Sequence, residues 1–191
     1  LIDNINVSNS TLIEENIFAR HTDFYNIERS SQVVVALFGR ERSPDMLVEM
    51  GVALADTGDV EVTSMIEVPE QTTLQDVLDE PAEVRSLRRR VKAMGNDKQR
   101  AIHFDPIVTH DLSKSIYDIS QCVHCEWLLL EWRGKNRGAL TIHDPLGWLK
   151  SHLNCKIGIF KDAGIRYIKS IMVVVNEDTN DKLVLDTAEH F

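Results

Sequence analysis

The chain has 191 residues, enough for one ordinary domain with a full core and an attached piece. Its 43% hydrophobic and 27% charged residues are the balance of a globular protein, and its net charge of -9 argues against binding to nucleic acid or to an anionic membrane surface. No apolar run approaches the roughly 20 residues that cross a bilayer, and no basic-then-apolar leader opens the chain.

The start at Leu1 rather than Met reads as an excised fragment or a processed chain. Three cysteines make no disulfide framework, which fits an intracellular, reducing location. Residues 1–31 are polar, with scattered apolar positions such as Leu12, Ile13, Ile17 and Phe18, and read as a linker or arm with at most one short helix around 11–19. Order begins at Val33–Phe38, a continuous apolar, β-branched run of the kind found in a strand covered on both faces. Ser43 and Pro44 then stand as an N-cap and first-turn pair. Apolar residues follow at helical spacing to about Thr57, where Gly58 stops the helix.

Val60–Val68 predicts a second strand, closed by Pro69. Residues 72–94 predict the next helix, with Thr72 and Gln75 at capping-box spacing; Pro81 either splits it or lies within its opening turns. Residues 101–109 predict a third strand, and Pro106 within it implies an edge position. Asp111 opens a helix to Cys122 with Ile116 and Ile119 inward. Trp127–Trp132 predicts a fourth strand, residues 146–153 a short helix, and Cys155–Phe160 a fifth strand. Strands alternating with helices over 33–160 predict right-handed crossovers and a doubly wound, five-stranded parallel α/β sheet in three layers. Ligands of such sheets sit at the carboxyl ends of the strands, by the switch point. Ser170–Phe191 repeats the opening pattern of apolar strand, polar turn and amphipathic helix, and reads as the first β-α unit of a second repeat. The expected divisions are therefore 1–31, 32–165 and 168–191.

Several strings carry a family resemblance: "VVVAL" in strand one, "IEVPEQTTL" after strand two, "THDLSKSI" at helix three, "LLLEWRG" at strand four and "CKIGIF" at strand five. With the order of elements, they resemble the universal stress protein fold. They resemble more closely the cytosolic carboxyl-terminal domains, built from tandem universal-stress-like units, of prokaryotic amino acid permeases in the amino acid–polyamine–organocation superfamily. The resemblance implies a domain on the cytoplasmic face of the cell membrane, joined to a membrane-embedded transporter portion of the same polypeptide. It also implies a homodimer formed through the last strand.

In the nucleotide-binding stress proteins the loop after strand four carries Gly, two residues, Gly, nine residues, then Gly with Ser or Thr. Glycines let backbone N–H groups approach phosphate, and the hydroxyl adds a donor. Gly134 matches the second glycine, but Glu131 stands at the first, and twelve residues separate Gly134 from Gly147, which is followed by Trp148 rather than a hydroxyl. Phe38 stands where that family places an Asp for adenosine. The site therefore reads as a degenerate phosphate loop made of Arg133, Gly134, Lys135, Arg137 and Gly147, and no cofactor, ATP included, is expected. The basic side chains leave a nucleotide second messenger open as an effector, but the first reading is a solvated loop or one gripping an acidic partner surface.

Cys122 to Cys125 form a C-x-x-C at the end of a predicted helix rather than at its start, so core and turn cysteines are expected in place of a redox or zinc site. The basic run Arg85–Lys92 fits lipid headgroups or, preferentially, a solvated helix face paired with Asp76, Asp79, Glu80 and Glu83. His110–Asp111 lacks a nucleophile, and Asp111 is better used as an N-cap, so no enzyme is expected. The expectation is a non-catalytic regulatory or dimerisation domain of a transporter. The alternatives are a free-standing nucleotide-binding stress protein and the cytosolic domain of a cation–chloride cotransporter.

Overall fold

The computed structural model describes residues 29–72, 80–131, 145–164, 168–175 and 180–191. The helix expected around 11–19 lies outside them. Five strands form one sheet: β1 (Val33–Leu37), β2 (Val60–Glu67), β3 (Ile102–Thr109), β4 (Trp127–Glu131) and β5 (Lys156–Phe160). Helices α1 (Pro44–Leu54), α2 (Ala82–Lys98), α3 (Leu112–Val123) and α4 (Pro145–His152) lie between them, and α5 (Asp181–Ala188) closes the chain. All strand pairs are parallel, in the order β3-β2-β1-β4-β5. The chain winds outward from β1 to one edge, then returns to β4 and winds to the other, so the switch point lies between β1 and β4.

Every residue of β1 is buried, as its unbroken apolar run requires of a central strand. Its odd positions Val33, Val35 and Leu37 pack with Leu47, Val48 and Val52 of α1 and Leu87 and Val91 of α2. Its even positions Val34 and Ala36 pack with Ile116, Ile119 and Val123 of α3 and Leu149 of α4. Each such side chain contributes roughly 1.5–3 kcal/mol on burial, so the two clusters together outweigh any single polar contact in the fold. Helix α1 lies close on the sheet at Gly51, where an added Cβ would stand 2.6 Å from Val35 Cγ2.

Pro106 lies in edge strand β3, as its missing N–H demands. Asp111 caps α3, accepting a hydrogen bond from the Lys114 N–H at 3.0 Å. Other boundaries differ from the sequence reading. The helix expected over 72–94 begins, in the described residues, at Ala82 with Pro81 as its N-cap, since the proline is extended at ψ 146. Thr72 sits in a turn, its N–H bonded to the Pro69 carbonyl at 2.9 Å. Helix α1 ends at Leu54, and Gly58 closes the following turn onto Ala55. Ser43 holds the N-cap position of α1 without capping it; its hydroxyl donates instead to Asp162 Oδ2 at 2.8 Å. The expected strand at 170–175 is a correction. That segment joins no ladder and is exposed, with Met172 86% and Val174 65% accessible. A β-branched run favours extension but does not itself provide a neighbour to pair with. The helix expected after it is present as α5.

One acid lies inside the sheet. Glu61 of β2 is wholly buried on the face covered by α3. Arg29, just ahead of β1, reaches it with Nε at 2.9 Å and Nη2 at 2.7 Å, and also bonds Asp105 of β3. The Arg29 guanidinium, although opposed by burial, is held above its ordinary value by the two carboxylates. Burial, then the Asp105 charge, push Glu61 up from 4.5 to about 8, against the pull of Arg29. One guanidinium, two carboxylates and one shared proton make the cluster neutral, which is the state a low-dielectric interior favours.

Two outcomes follow. Gly51→Val should destabilise the chain by about 2 kcal/mol in urea unfolding, because overpacking against the central strand exceeds any gain in helix propensity. For Glu61, the folded chain retains between pH 4.5 and about 8 a proton that the unfolded chain has released. Its stabilisation is complete below the unfolded pKa and is lost as pH rises through that window. The urea midpoint of the wild type should therefore decline from pH 5 to 8 relative to Glu61→Gln; a relative rise would refute the assignment.

Candidate functional site

The switch point is where the sheet can offer backbone donors to a ligand. Strand β1 ends at Leu37, and the chain turns through Gly39, whose φ of 71 is the left-handed conformation that glycine adopts without strain. Phe38 packs its ring against the α3–α4 core cluster, where a ligand-holding acid is placed in the resembling family. Beside the turn, β4 ends at Glu131, and the chain leaving β5 brings Asp162 alongside.

These carboxylates occupy the donors. Phe38 and Arg40 N–H groups both donate to Glu41, the latter at 3.1 Å. The Arg42 N–H donates to Glu131 Oε2 at 2.9 Å. Asp162 accepts from the Gly164 N–H at 2.6 Å and from the Ser43 hydroxyl. Burial holds the Glu41 carboxyl above its usual range despite these N–H donors, and Glu131 nearby adds to the effect. A phosphate approaching this end of the sheet meets acceptors already bonded to the N–H groups it would need, and negative charge opposes it.

Of the expected loop residues, Arg133, Gly134, Lys135 and Arg137 lie outside the described residues. Gly147 is described. It sits in α4, exposed, with nothing within 4 Å of a Cβ added there. Trp148, next to it, stacks on His152 at 4.2 Å and meets Tyr117 edge-on at 5.8 Å, so the indole packs on the helical layer.

In the basic run on α2, one of the expected upstream acids, Glu80, is a partner, and a second basic side chain pairs with Asp45 instead. Arg88 bonds Glu80 at 2.7 Å and lies 5.7 Å over the Phe104 ring, and Arg90 bonds Asp45 at 2.8 Å. A groove of about 340 Å³ follows the outer edge of β3, with Arg88 and Lys92 on one side and Arg29 and Asp105 on the other. Arg29 is committed there to two carboxylates, so the groove is of mixed charge and is not an anion site. Among the described residues no group of three or more His, Cys, Asp or Glu side chains could hold a metal ion, and no helix is long and apolar enough to cross a membrane. Sequence reasoning placed Glu131 correctly at the end of β4 but missed Glu41 and Asp162. Each acts through backbone N–H groups, which have no signature in residue type.

No family model and no curated protein matches the sequence. Solved structures do. Universal stress protein UspA from Lactobacillus plantarum superposes with a TM-score of 0.51 at 12% identity, over 69% of this chain and 99% of that one. A universal stress protein from Archaeoglobus fulgidus gives 0.49 at 15% identity, over 71% and 97%. A universal stress protein in complex with cAMP gives 0.48 at 12%, over 69% and 98%. At such identities the likeness is one of fold: residues 33–160 form a universal stress protein-like α/β sheet.

Proposed function

We propose that this chain is a non-catalytic assembly and regulatory module that works through protein contacts rather than by binding ATP. The observation that carries this reading is the apolar segment 168–175: Ile168, Ile171, Met172, Val174 and Val175 are all exposed. An exposed apolar stretch of this kind marks a surface covered by another protein. The open edge of β5, where Ile159 is 53% accessible, is a second such surface, and an unpaired apolar edge invites a further strand. A homodimer that uses both is the simplest arrangement. The occupied donors at the switch point support the same reading from the other side, since they leave little for a triphosphate.

The resemblance to the carboxyl-terminal domains of amino acid permeases supplies the setting: a domain on the cytoplasmic face of the membrane, coupling two transporter protomers. A ligand or partner acts on such a pair only by favouring one arrangement over another. A free-standing stress protein is the second reading. The coverage of UspA favours it, because a whole unit of that protein fits within this chain.

Two measurements on one preparation separate these. Sedimentation velocity should find a dimer at micromolar concentration that Met172→Asp with Val174→Asp, or Ile159→Lys alone, converts to monomer. Thermal shift with ATP, AMP, cAMP and cyclic dinucleotides should find no change, whereas a ligand at 100 times its Kd stabilises by about 2.7 kcal/mol. A monomer at every concentration, stabilised by a nucleotide, would replace the assembly reading with the nucleotide-binding one.

A further inference from the structure

The sequence sets Cys122 and Cys125 together, but the fold brings Cys125 to Cys155. Cys125 lies between the end of α3, where His124 turns the chain in the left-handed conformation, and the first residue of β4. Cys155 immediately precedes β5. Strands β4 and β5 are parallel neighbours with Trp127 opposite Lys156, and the Lys156 N–H donates to the Glu126 carbonyl at 2.8 Å. Register therefore sets Cys155 beside Glu126, one residue from Cys125. Neighbouring strands lie about 4.8 Å apart, so residues at the beginnings of two hydrogen-bonded strands, one position out of register, are within the roughly 4.4–6.8 Å Cα span of a disulfide. Cys125 belongs to the core cluster beneath α3 and α4, and Cys155 packs against that same cluster. Cys122 is not part of that cluster.

We infer that Cys125 and Cys155 are a peroxide-responsive thiol pair that closes reversibly into a disulfide between the beginnings of β4 and β5. The two sulfurs are unequal, as such a pair requires. Cys125 is 9% accessible and Cys155 is half-buried, so Cys155 is the one an oxidant reaches first. The neighbouring Cys125 thiol draws the Cys155 thiol down, against its burial, while that same contact and burial push Cys125 up. The pairing favours the thiolate at the more accessible sulfur, beside a protonated partner.

The chemistry balances with a hydroperoxide as oxidant. The Cys155 thiolate attacks the terminal oxygen; an S–O bond forms, the O–O bond breaks, and the alcohol or water leaves after taking up a proton. Cys125 loses its proton and attacks the resulting sulfenic sulfur; an S–S bond forms and hydroxide leaves as water. Two thiols and one hydroperoxide give one disulfide, one alcohol or water, and one water, with two electrons passing from the sulfurs to the peroxide. A dithiol reductant restores the pair by exchange. The closed form ties edge strand β5 covalently to β4 and encloses α4 in the loop.

The whole chain, treated with a few equivalents of hydrogen peroxide, should fall from its three free thiols to one. Peptide mapping without reduction should find Cys125 joined to Cys155. Dithiothreitol should restore all the thiols, and oxidation should raise Tm reversibly by about 5–10 °C. Cys122→Ser should leave this unchanged and Cys155→Ser should abolish it. Because Cys155 is half-buried, that variant keeps the core, and its circular dichroism serves as the folding control. A Cys122–Cys125 linkage would overturn the inference. So would a disulfide only between chains, a sulfinic acid at Cys155 with no cross-link, or thiols that resist peroxide until the chain unfolds.

Discussion

A carboxyl group with no exposed surface cannot remain in a parallel sheet unless something neutralises it, and at Glu61 that is done by Arg29 together with a retained proton. The cost of an isolated buried charge is several kcal/mol, comparable to the whole stability of many domains. Much else follows from this pairing. The guanidinium comes from the segment before β1, so the end of the amino-terminal arm is fixed across the sheet face. Backbone bonds from Ser31 to the Val123 carbonyl and from Gln32 to the Asp59 carbonyl hold it there. Asp105 draws β3 into the same arrangement, so three separate stretches of chain meet at one acid. Removing Arg29 would leave two carboxyls on adjacent strands to share what proton they can.

The switch point shows the opposite use of carboxylates. Glu41, Glu131 and Asp162 accept from the chain's own N–H groups and fix the turn after β1, the end of β4 and the exit from β5 to one another. Among the described residues, the backbone donors of Phe38, Arg40, Arg42 and Gly164 are satisfied by side-chain carboxylates. These carboxylates tie this end of the sheet together.

The sheet itself was legible because its signals are local. Val33–Leu37 is apolar at every position, Pro106 marks an edge, and Asp111 stands three residues ahead of the Lys114 N–H it accepts from. What escaped the sequence was what depends on distant partners. Nothing near Glu61 announces an arginine 32 residues earlier. Cys122 and Cys125 drew attention by proximity, whereas the contact lies between Cys125 and Cys155, which only the β4–β5 register reveals. The run at 170–175 looked like a strand because β-branched residues report a preference for extension, and pairing is a property of the neighbour. Ser43 had the right residue type for a cap, but Asp162 competes for its hydroxyl.

The two margins of the sheet are unlike each other. On the β3 side Pro106 lacks the N–H that another strand would use, and Arg29 and Asp105 lie across its outer half. On the β5 side Ile159 stands bare. A sheet that can grow from only one margin cannot polymerise by strand addition. Two copies meeting through β5 would exhaust the available edge in a single two-fold contact.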